Sequence, residues 1–568
     1  MARKTSAASS RPSKTRAFDP SKYSTRYIAL KFAYLGRKYN GLEYHKNNDT
    51  ALPTVEEVLW NALLKSRLVS QPQAVEENNG TEECSLTEGA ESSDDTVWKG
   101  CDYSKCGRTD RGVSAFGQVV ALRVRSARPK ERDPEQEDRD ASKQDLREKE
   151  EGEEPSSSYA APQTFHHVHD ELPYIQILNR LLPQDLRILA WCPSPPPGFS
   201  ARFSCKERRY KYFFTNPCFP PTPYSTSNSP SDTAPEREGW LNIPAMQEAA
   251  AHFTGLHDFR NFCKIDPSKQ LTNYQRRIFH ADISPVSSSD MPAASLTLLP
   301  FAPPQSLYNR NDHPAPTMQD VSPAGREPRL YAFTVHGSAF LWHQIRHMIS
   351  ILFLIGQGLE SPSLIPTLLD TAAMPRRPHY EMADETPLVL WDCIFPNNGV
   401  DQPIESQEDG LEWVWADDEG GKKERGRGSG EGKGGTGREK KSNPNGLVPK
   451  LWEQWYQRKM DEVLAGGLLN VGVRGGRVAS KDVEGEDDDG LISENGDHLT
   501  GPATPSTSIS ASTKVFLGGL APKLAGKYIP ILQRERMESP DVTNAKWRAK
   551  QEAKGLVVKT SAGEEVDE

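Results

Sequence analysis

The chain has 568 residues, of which 36% are hydrophobic, and it contains 42 glycines and 45 prolines. With a mean hydropathy of -0.68, its long polar segments lack the apolar surface that must offset the entropy of ordering. We therefore expect a folded core interrupted by disordered segments. No apolar run approaches the roughly 20 residues of a membrane-spanning helix, so we expect no membrane partner.

The net charge of -9 conceals an uneven distribution. Three acidic segments, 71–97, 126–171 and 481–497, together carry a net charge of -22, and the rest of the chain therefore carries +13. A basic core favours a polyanionic partner, because lysine and arginine neutralise phosphates. For the acidic segments themselves, solvated surface is the simpler interpretation.

The cysteines and the N-terminus bear on compartment and metal content. None of the eight cysteines lies in a Cys-x-x-Cys pair, which argues against a disulfide scaffold or a zinc ribbon. The N-terminus is basic and serine-rich without an apolar stretch, unlike a secretory signal. A transit peptide, a nuclear signal and an RNA-binding tail remain open. We expect a disordered basic tail over residues 1–25 of an intracellular protein.

The first elements in chain order are a strand, a glycine turn and a helix. Residues 26–34 alternate and are rich in strand formers, and Gly36 and Gly41 frame the turn. Thr54 and Glu57 form a predicted capping box before an apolar stripe at helical spacing. A further strand is predicted over 118–125, with Arg123 and Arg125 on its polar face.

The later elements suggest a second strand-and-helix half. Helices are predicted over 175–182, 243–253 and 342–356, and strands at the end of 199–214 and over 276–283 and 330–335. The two halves are residues 26–190 and 191–398, the second with Pro/Ser-rich loops at 217–238 and 285–327. Residues 399–568 form a mostly disordered tail with ordered islands near 451–464 and 527–548. The predicted class is α+β, built on antiparallel sheet.

The stretch CGRTDRGV, residues 106–113, places Asp110 between Arg108 and Arg111 in a glycine-flanked turn. Nearby cations favour a charged carboxylate, so Asp110 should be ionised near neutral pH and suited to nucleophilic or general-base chemistry. An aspartate that caps an ordinary turn is the more frequent case for such a short stretch.

Two further stretches combine residue types that suit a nucleic-acid site. The strand KERRYKY, residues 206–212, alternates cations with Tyr210 and Tyr212, as base stacking with phosphate contact requires. The alternative is a surface strand whose tyrosines pack inward. In LWHQIRHM, residues 341–348, Arg346 lies on an apolar helix and needs an anion, for which Asp110 is a candidate. His343 and His347 lack the glutamate of a zinc helix, so no metal is expected.

Together these stretches resemble a known family. CGRTDRGVSAFGQV, ARFSCKERRYKY and FLWHQIRHMI are similar, in order and spacing, to the signature motifs of TruA-type tRNA pseudouridine synthases. GLHDFRNFCKID (255–266), PHYEMADETPLVLWDC (378–393) and KYIPILQRERMESPDVTNAKW (527–547) resemble the eukaryotic branch that modifies positions 38 and 39 of the tRNA anticodon arm. The matching segments run through about 26–395, with an isolated C-terminal match.

The resemblance implies specific roles. Asp110 would be the catalytic nucleophile, Arg108 would help to hold the flipped-out target nucleotide, and Arg346 would pair with the aspartate. Tyr210 would stack on the target base and act in proton transfer. The other implied RNA contacts are Arg111, Arg202, Lys206, Arg208, Arg209, Lys211 and His343.

The resemblance also implies the setting of the reaction. The fold would be two similar halves, each an antiparallel sheet with helices on one face, abutting around a basic cleft. The reaction needs no cofactor, the partner is tRNA, and family members are commonly homodimers. We expect nuclear or cytoplasmic localisation, or both, with a mitochondrial pool as an alternative.

The sequence departs from the family pattern in two places, and two other functions stay open. Acidic insertions flank the catalytic strands, which suggests that they gate the cleft electrostatically. The segment GLEYHK (41–46) replaces the bacterial sequence, so contacts there cannot be transferred. The other functions are modification of another tRNA position or another RNA, and catalytically silent tRNA binding.

Overall fold

The computed structural model describes residues 18–44, 50–70, 98, 100–130, 165–219, 239–287, 329–396, 409–416, 446–481 and 513–554. The predicted insertion 71–97, most of the predicted insertion 126–171 and most of the N-terminal tail lie outside these residues. Within these ranges, no helix combines the length and the apolar character that crossing a bilayer demands.

The described residues form strands and helices that follow the predicted order. The strands are β1 (Thr25–Tyr34), β2 (Ser104–Lys105), β3 (Ser114–Arg125), β4 (Leu186–Cys192), β5 (Glu207–Asn216), β6 (Gly255–Asp258), β7 (Gln275–Pro285), β8 (Arg329–Gly337), β9 (Leu388–Ile394), β10 (Val414–Trp415), β11 (Thr513–Val515) and β12 (Lys523–Ala525). The helices are α1 (Val55–Lys65), α2 (Tyr174–Leu181), α3 (Ile243–Ala251), α4 (Gln344–Gly356), α5 (Leu364–Leu369), α6 (Leu447–Lys481) and α7 (Pro540–Glu552).

One large sheet joins the two halves. Among the described residues, ten strands pair in the order β10-β4-β1-β3-β9-β5-β8-β7-β6, with β2 added beside β3. The halves meet where β3 pairs with β9, with Ser114 opposite Val389 and Ala115 opposite Leu390, and this pairing is parallel. The other pairings of this sheet are antiparallel. The predicted α+β class is confirmed, and the two sheets are joined rather than merely abutting.

Local sequence signals explain where the elements begin. The Thr54 side chain accepts a hydrogen bond from the Glu57 amide at 3.2 Å, and the Glu57 carboxylate accepts one from the Thr54 amide at 3.4 Å, so the predicted capping box is present. Every residue of α4 is buried, which accords with its apolar sequence. Strand β3 begins at Ser114, four residues before the predicted start, because Ser114 and Ala115 pair with β9.

The end of the predicted insertion 126–171 is packed, contrary to expectation. The buried Glu171 carboxylate accepts hydrogen bonds from the Ser126 hydroxyl at 2.6 Å and the Ala127 amide at 2.7 Å, and it pairs with Arg26 at 3.0 Å. These bonds and the Arg26 pair hold the pKa of Glu171 below its ordinary value although burial works in the opposite direction. Ser126, Ala127 and Glu171 therefore belong to the folded core.

The C-terminal island docks on the second half. Phe516 exchanges two hydrogen bonds with the Gln357 side chain, at 2.8 and 2.9 Å. The Glu360 carboxylate accepts from the Tyr528 hydroxyl and from the amide of Ile531, both at 2.7 Å, and Ile531 is fully buried. This C-terminal segment, residues 513–554, begins earlier than the predicted island at 527–548. The other island forms α6, which is longer than predicted.

Candidate active site

Contacts with β3 hold the N-terminal side of the turn that carries Asp110. The Cys106 amide donates to the Val119 carbonyl at 2.9 Å. The Gln118 side chain brackets Gly107, donating to its carbonyl at 2.9 Å and accepting from its amide at 3.3 Å. Gly112 has a φ of +80°, which glycine adopts without strain and other L-residues rarely adopt. The turn is thereby fixed at the end of a buried strand.

The turn also packs tightly on the segment after β1. A Cβ atom at Gly36 would lie 2.1 Å from the Val113 carbonyl oxygen, so this position leaves no room for a side chain. The Thr109 hydroxyl is 2.6 Å from the Tyr34 hydroxyl, and the Leu42 amide donates to the Thr109 carbonyl at 3.1 Å. The backbone beside Asp110 therefore has little freedom to move.

The Asp110 carboxylate lies at the beginning of α4. Its Oδ2 atom is 3.5 Å from Nε2 of His343, and the side chain is 28% exposed. Burial raises the pKa of Asp110 to about 6, although Arg346 and the Trp342 side chain favour the ionised form; Glu385 adds repulsion. The carboxyl is therefore mostly ionised at neutral pH but titrates close to it, as suits a nucleophile or general base.

The expectation that the flanking arginines set the charge state of Asp110 is wrong. The Arg108 Nε atom pairs with Glu43 Oε1 at 2.7 Å instead of with the aspartate. Arg111 is exposed. Desolvation is the largest influence on the Asp110 carboxyl, and it acts against ionisation. Sequence adjacency does not reveal that Arg108 pairs elsewhere and that neither arginine is among the main influences on the Asp110 carboxyl.

Arg346 finds a different anion from the predicted one. Its terminal nitrogen pairs with Glu385 at 2.6 Å, and its Nε donates to the Ala383 carbonyl at 2.8 Å. Among the described residues no ion pair or hydrogen bond joins Arg346 to Asp110, so the expectation of a direct pair is wrong. The guanidinium nevertheless acts on Asp110 through space, since it is the foremost of the charges that stabilise the carboxylate.

His343, one of the predicted RNA contacts, touches the Asp110 carboxylate. It has a φ of +61° and precedes α4, and its Nδ1 atom is buried without a hydrogen-bond partner among the described residues. Burial, with Arg346 and Lys264 nearby, lowers the pKa of His343 to about 4. At neutral pH the imidazole is therefore uncharged, and its contact with Asp110 is polar rather than ionic.

Tyr210 lies in β5, with its ring buried. It is 8% exposed and packs edge-to-face on Phe340 with ring centroids 5.2 Å apart. Burial raises the pKa of Tyr210 well above its ordinary value, so the hydroxyl stays protonated at neutral pH. No hydrogen bond joins Tyr210 to Asp110 in the described part of the chain.

Arg208 does not face solvent as an RNA contact would. Its guanidinium donates to the carbonyls of Cys205 at 3.1 Å, Cys106 at 3.1 Å and Arg202 at 2.9 Å, and also to that of Ser338. These bonds occupy the donors that phosphate recognition needs, so the predicted RNA contact is wrong. Arg208 instead joins the segment before Asp110 to the segment before β5.

The remaining predicted contacts on this segment are partly exposed. Lys211 lies 4.4 Å from the centroid of the Trp391 ring, and Arg202 lies 5.0 Å from that of the exposed Phe203. Arg209 pairs with the buried Glu207 at 2.5 Å. Lys206 is half-buried beside them. Their contact with RNA stays a prediction.

A cavity of about 740 Å³ is lined by His343, whose ring contacts the Asp110 carboxylate, whereas Asp110 itself does not line the cavity. Arg346, Lys264 and Glu385 line it from the second half, and Leu517 and Lys523 line it from the C-terminal segment. The C-terminal segment therefore forms part of the wall of the cavity that His343 and Arg346 also line, a placement that the sequence did not suggest.

Three thiols offer the best arrangement for a metal. The sulfur atoms of Cys106, Cys205 and Cys393 lie within 4.8 Å of one another, and all three side chains are buried. A structural zinc site takes four ligands, and no fourth histidine, cysteine or carboxylate joins this group in the described ranges. Arg208 lies next to the thiols and already supplies a positive charge there. We assign the trio to packing rather than to metal binding.

Sequence reasoning missed three residues around Asp110. Lys264 lies 4.5 Å from the centroid of the Trp342 ring, and Glu385 pairs with Arg346. Glu43 pairs with Arg108. Lys264 and Glu385 fall in the stretches 255–266 and 378–393 that carried the family resemblance, so the sequence did mark these regions. It did not indicate which residues they would contact.

Comparisons with known proteins point to one family. Residues 249–396 match the family model described as tRNA pseudouridine synthase. The chain is 37% identical over 388 residues to the tRNA pseudouridine(38/39) synthase of Saccharomyces cerevisiae, covering 68% of this chain and 61% of the yeast protein. It is 37% identical over 404 residues to the protein of that name from Homo sapiens, covering 71% and 63%. A Caenorhabditis elegans protein, named as a probable tRNA pseudouridine synthase, is 30% identical over 410 residues, covering 71% and 77%.

Asp110 is thus a half-buried carboxylate four residues before the β3–β9 pairing that joins the two halves, and Arg346 and Lys264 are cations that favour its ionised form. The chain belongs to the tRNA pseudouridine synthase family. It spans about three fifths of the length of its yeast and human relatives, at 61% and 63%.

Proposed function

We propose that the protein is an isomerase that converts uridine to pseudouridine in the anticodon stem-loop of tRNA, at positions 38 and 39. The observation that carries this proposal is the environment of Asp110. It is a half-buried carboxylate with a pKa of about 6, beside a neutral histidine and an arginine, on a rigid turn. The yeast and human relatives named for positions 38 and 39 support the choice of target.

Asp110 acts as the nucleophile in this proposal. The bond between N1 of the base and C1′ of the sugar breaks, the base turns, and a bond forms between C5 and C1′. The proton lost from C5 is balanced by one gained at N1, so the reaction consumes no cofactor, metal or ATP. As the nucleophile, Asp110 attacks either the base or C1′ of the sugar; in a glycal route the carboxylate would instead act as a base, which is the alternative to this assignment.

The other side chains take supporting roles. Arg346 stabilises the Asp110 carboxylate through space, while Glu385 fixes the guanidinium. We assign Tyr210 to stacking on the target base, with its protonated hydroxyl as a donor. Arg108, with an exposed side chain, contacts the flipped-out nucleotide.

Assembly and location complete the proposal. We propose a homodimer in the nucleus, the cytoplasm or both, on the strength of the family resemblance. Light scattering of the purified chain and imaging of a tagged chain test these two points, and a monomer or an exclusively mitochondrial signal would contradict them.

The function is tested by incubating the full chain with unmodified tRNA transcripts and mapping pseudouridine by position. Pseudouridine is expected at positions 38 and 39 with the wild-type chain and nowhere with Asp110→Ala, which should keep most of its tRNA affinity. Product at another position would reassign the target. Tight tRNA binding with no product at any position would indicate a catalytically silent tRNA-binding protein.

A further inference from the structure

We propose that Glu43 is a positioning residue that holds Arg108 in place for RNA, as the last member of a chain of ion pairs that begins at the buried Glu56. The order is Glu56, Lys105, Glu43 and Arg108. This inference rests on the proposed function, since it assigns a supporting structure to the arginine beside Asp110.

The series of ion pairs begins at Glu56, whose carboxylate is buried and held in place. Glu56 lies in the first turn of α1, and its side chain is 1% exposed. It accepts hydrogen bonds from the Tyr103 hydroxyl at 2.6 Å and from the Tyr44 amide at 2.8 Å. The beginning of a helix favours a negative charge, and the capping box of α1 fixes its position. Glu56 is therefore a rigid anchor.

Lys105 connects this anchor to Glu43. Its Nζ atom lies 3.0 Å from Glu56 Oε1 and 2.9 Å from Glu43 Oε1, so one ammonium group bridges two carboxylates. Lys105 lies in β2, which pairs with β3, and its side chain is 17% exposed. The bridge thus joins α1, the sheet and the segment that follows the glycine turn.

Glu43 in turn holds the Arg108 side chain. The same Oε1 atom that meets Lys105 accepts from Arg108 Nε at 2.7 Å. Burial works against the Glu43 carboxylate, yet Lys105 and Arg108 together hold its pKa below the ordinary value. Glu43 therefore stays charged at neutral pH and keeps both contacts.

The pairing with Glu43 leaves the two terminal nitrogens of Arg108 free to contact RNA. Only Nε is engaged among the described residues, and the side chain is 44% exposed. The two terminal nitrogens form the pair of donors that matches a phosphate or a base edge. An isolated exposed ion pair would contribute little, but this one ends a chain anchored in the core. The arginine is thus preorganised two residues before Asp110.

The test is a double-mutant cycle with full-length variants Glu43→Gln, Arg108→Gln and the combination, measured by single-turnover pseudouridine formation and by tRNA affinity at several salt concentrations. We expect Glu43→Gln to lower the single-turnover rate about tenfold or more in the wild-type background. In the Arg108→Gln background, Glu43→Gln should lower the single-turnover rate less than about twofold, because the arginine that Glu43 positions is already absent.

Asp102→Asn is the matched control. Asp102 pairs with Arg123 at 2.9 Å on the same half, and both side chains are exposed. It should leave rate and affinity unchanged. A lysine at position 108 cannot use Nε in the same way, so Glu43→Gln should also matter less beside Arg108→Lys. A merely structural Glu43 would lower the melting temperature and act equally in every background.

The outcomes separate the inference from the proposed function. The positioning role would be overturned by either of two results. In the first, Glu43→Gln lowers the single-turnover rate as much in the Arg108→Gln background as in the wild type. In the second, Glu43→Gln leaves the rate of the wild-type background unchanged. If the wild-type chain binds tRNA without converting it, the proposed function fails, and the same cycle read from affinities still decides the role of Glu43. A chain that neither binds nor converts tRNA would overturn both.

Discussion

Replacing Asp110 by asparagine should stabilise the folded protein at neutral pH. The carboxyl has a pKa of about 6 in the folded chain, against an ordinary value of 3.8. The folded state therefore binds the proton more tightly than the unfolded state, so stability falls as pH rises through this window. The full cost is present above about pH 6 and absent below about pH 4. Asparagine keeps the shape and removes the charge.

The magnitude follows from the size of the shift. About two pKa units correspond to about 3 kcal/mol at most, at about 1.4 kcal/mol per unit. The side chain is 28% exposed, and a buried amide has its own desolvation cost, so we expect a gain of about 1–2 kcal/mol. This corresponds to a rise of about 2–4 °C in melting temperature.

The assay compares melting temperatures of wild type and Asp110→Asn at about pH 4.5, 6 and 7.5 and constant ionic strength. Asp102→Asn, whose carboxylate is 60% exposed, is the control and should show no such trend. The gain should grow from pH 4.5 to pH 6 and then level off. A gain that is equal at all three values, or a loss at pH 7.5, would refute the idea that burial raises the pKa of Asp110.

Three further predictions concern the surroundings of the site. Gly36→Ala should cost more than about 2 kcal/mol by thermal unfolding, because its Cβ would lie 2.1 Å from the Val113 carbonyl oxygen; a stable variant would show that the turn can shift. Lys264→Met should move the acid limb of the rate–pH profile to higher pH, because Lys264 favours the ionised form of Asp110; an unchanged profile would contradict that influence. Ile531→Asp should release the C-terminal segment, seen as faster proteolysis after residue 512, and lower the single-turnover rate; full activity of the released form would show that the segment is dispensable.

Local signals predicted the elements well where the pattern was itself local. The strand predicted over 26–34 is β1 (Thr25–Tyr34), and the capping box at Thr54 begins α1. The helix predicted over 342–356 begins at Gln344, because His343 takes a positive φ and lies outside the helix, with its ring 3.5 Å from the Asp110 carboxylate. Sequence pattern does not encode such an exception, which here lies beside the candidate catalytic group.

Long-range pairing was beyond sequence reasoning. Arg346 was correctly seen to need an anion, but its partner Glu385 lies 39 positions away and is brought near by the loop before β9. The parallel pairing of β3 with β9, which joins the halves, depends equally on the folded topology. Closeness in sequence also suggested a contact that does not form. Arg108 lies two positions from Asp110 but pairs with Glu43.

Single-turnover release of tritium from tRNA labelled at C5 of uridine tests the central claim most directly, because C5 loses its hydrogen only when the new bond to the sugar forms. The wild-type chain should release tritium in proportion to the labelled uridines at positions 38 and 39. Asp110→Asn should bind the same tRNA and release none. Tritium release by Asp110→Asn at a rate near that of the wild type would contradict the assignment of Asp110 as the nucleophile.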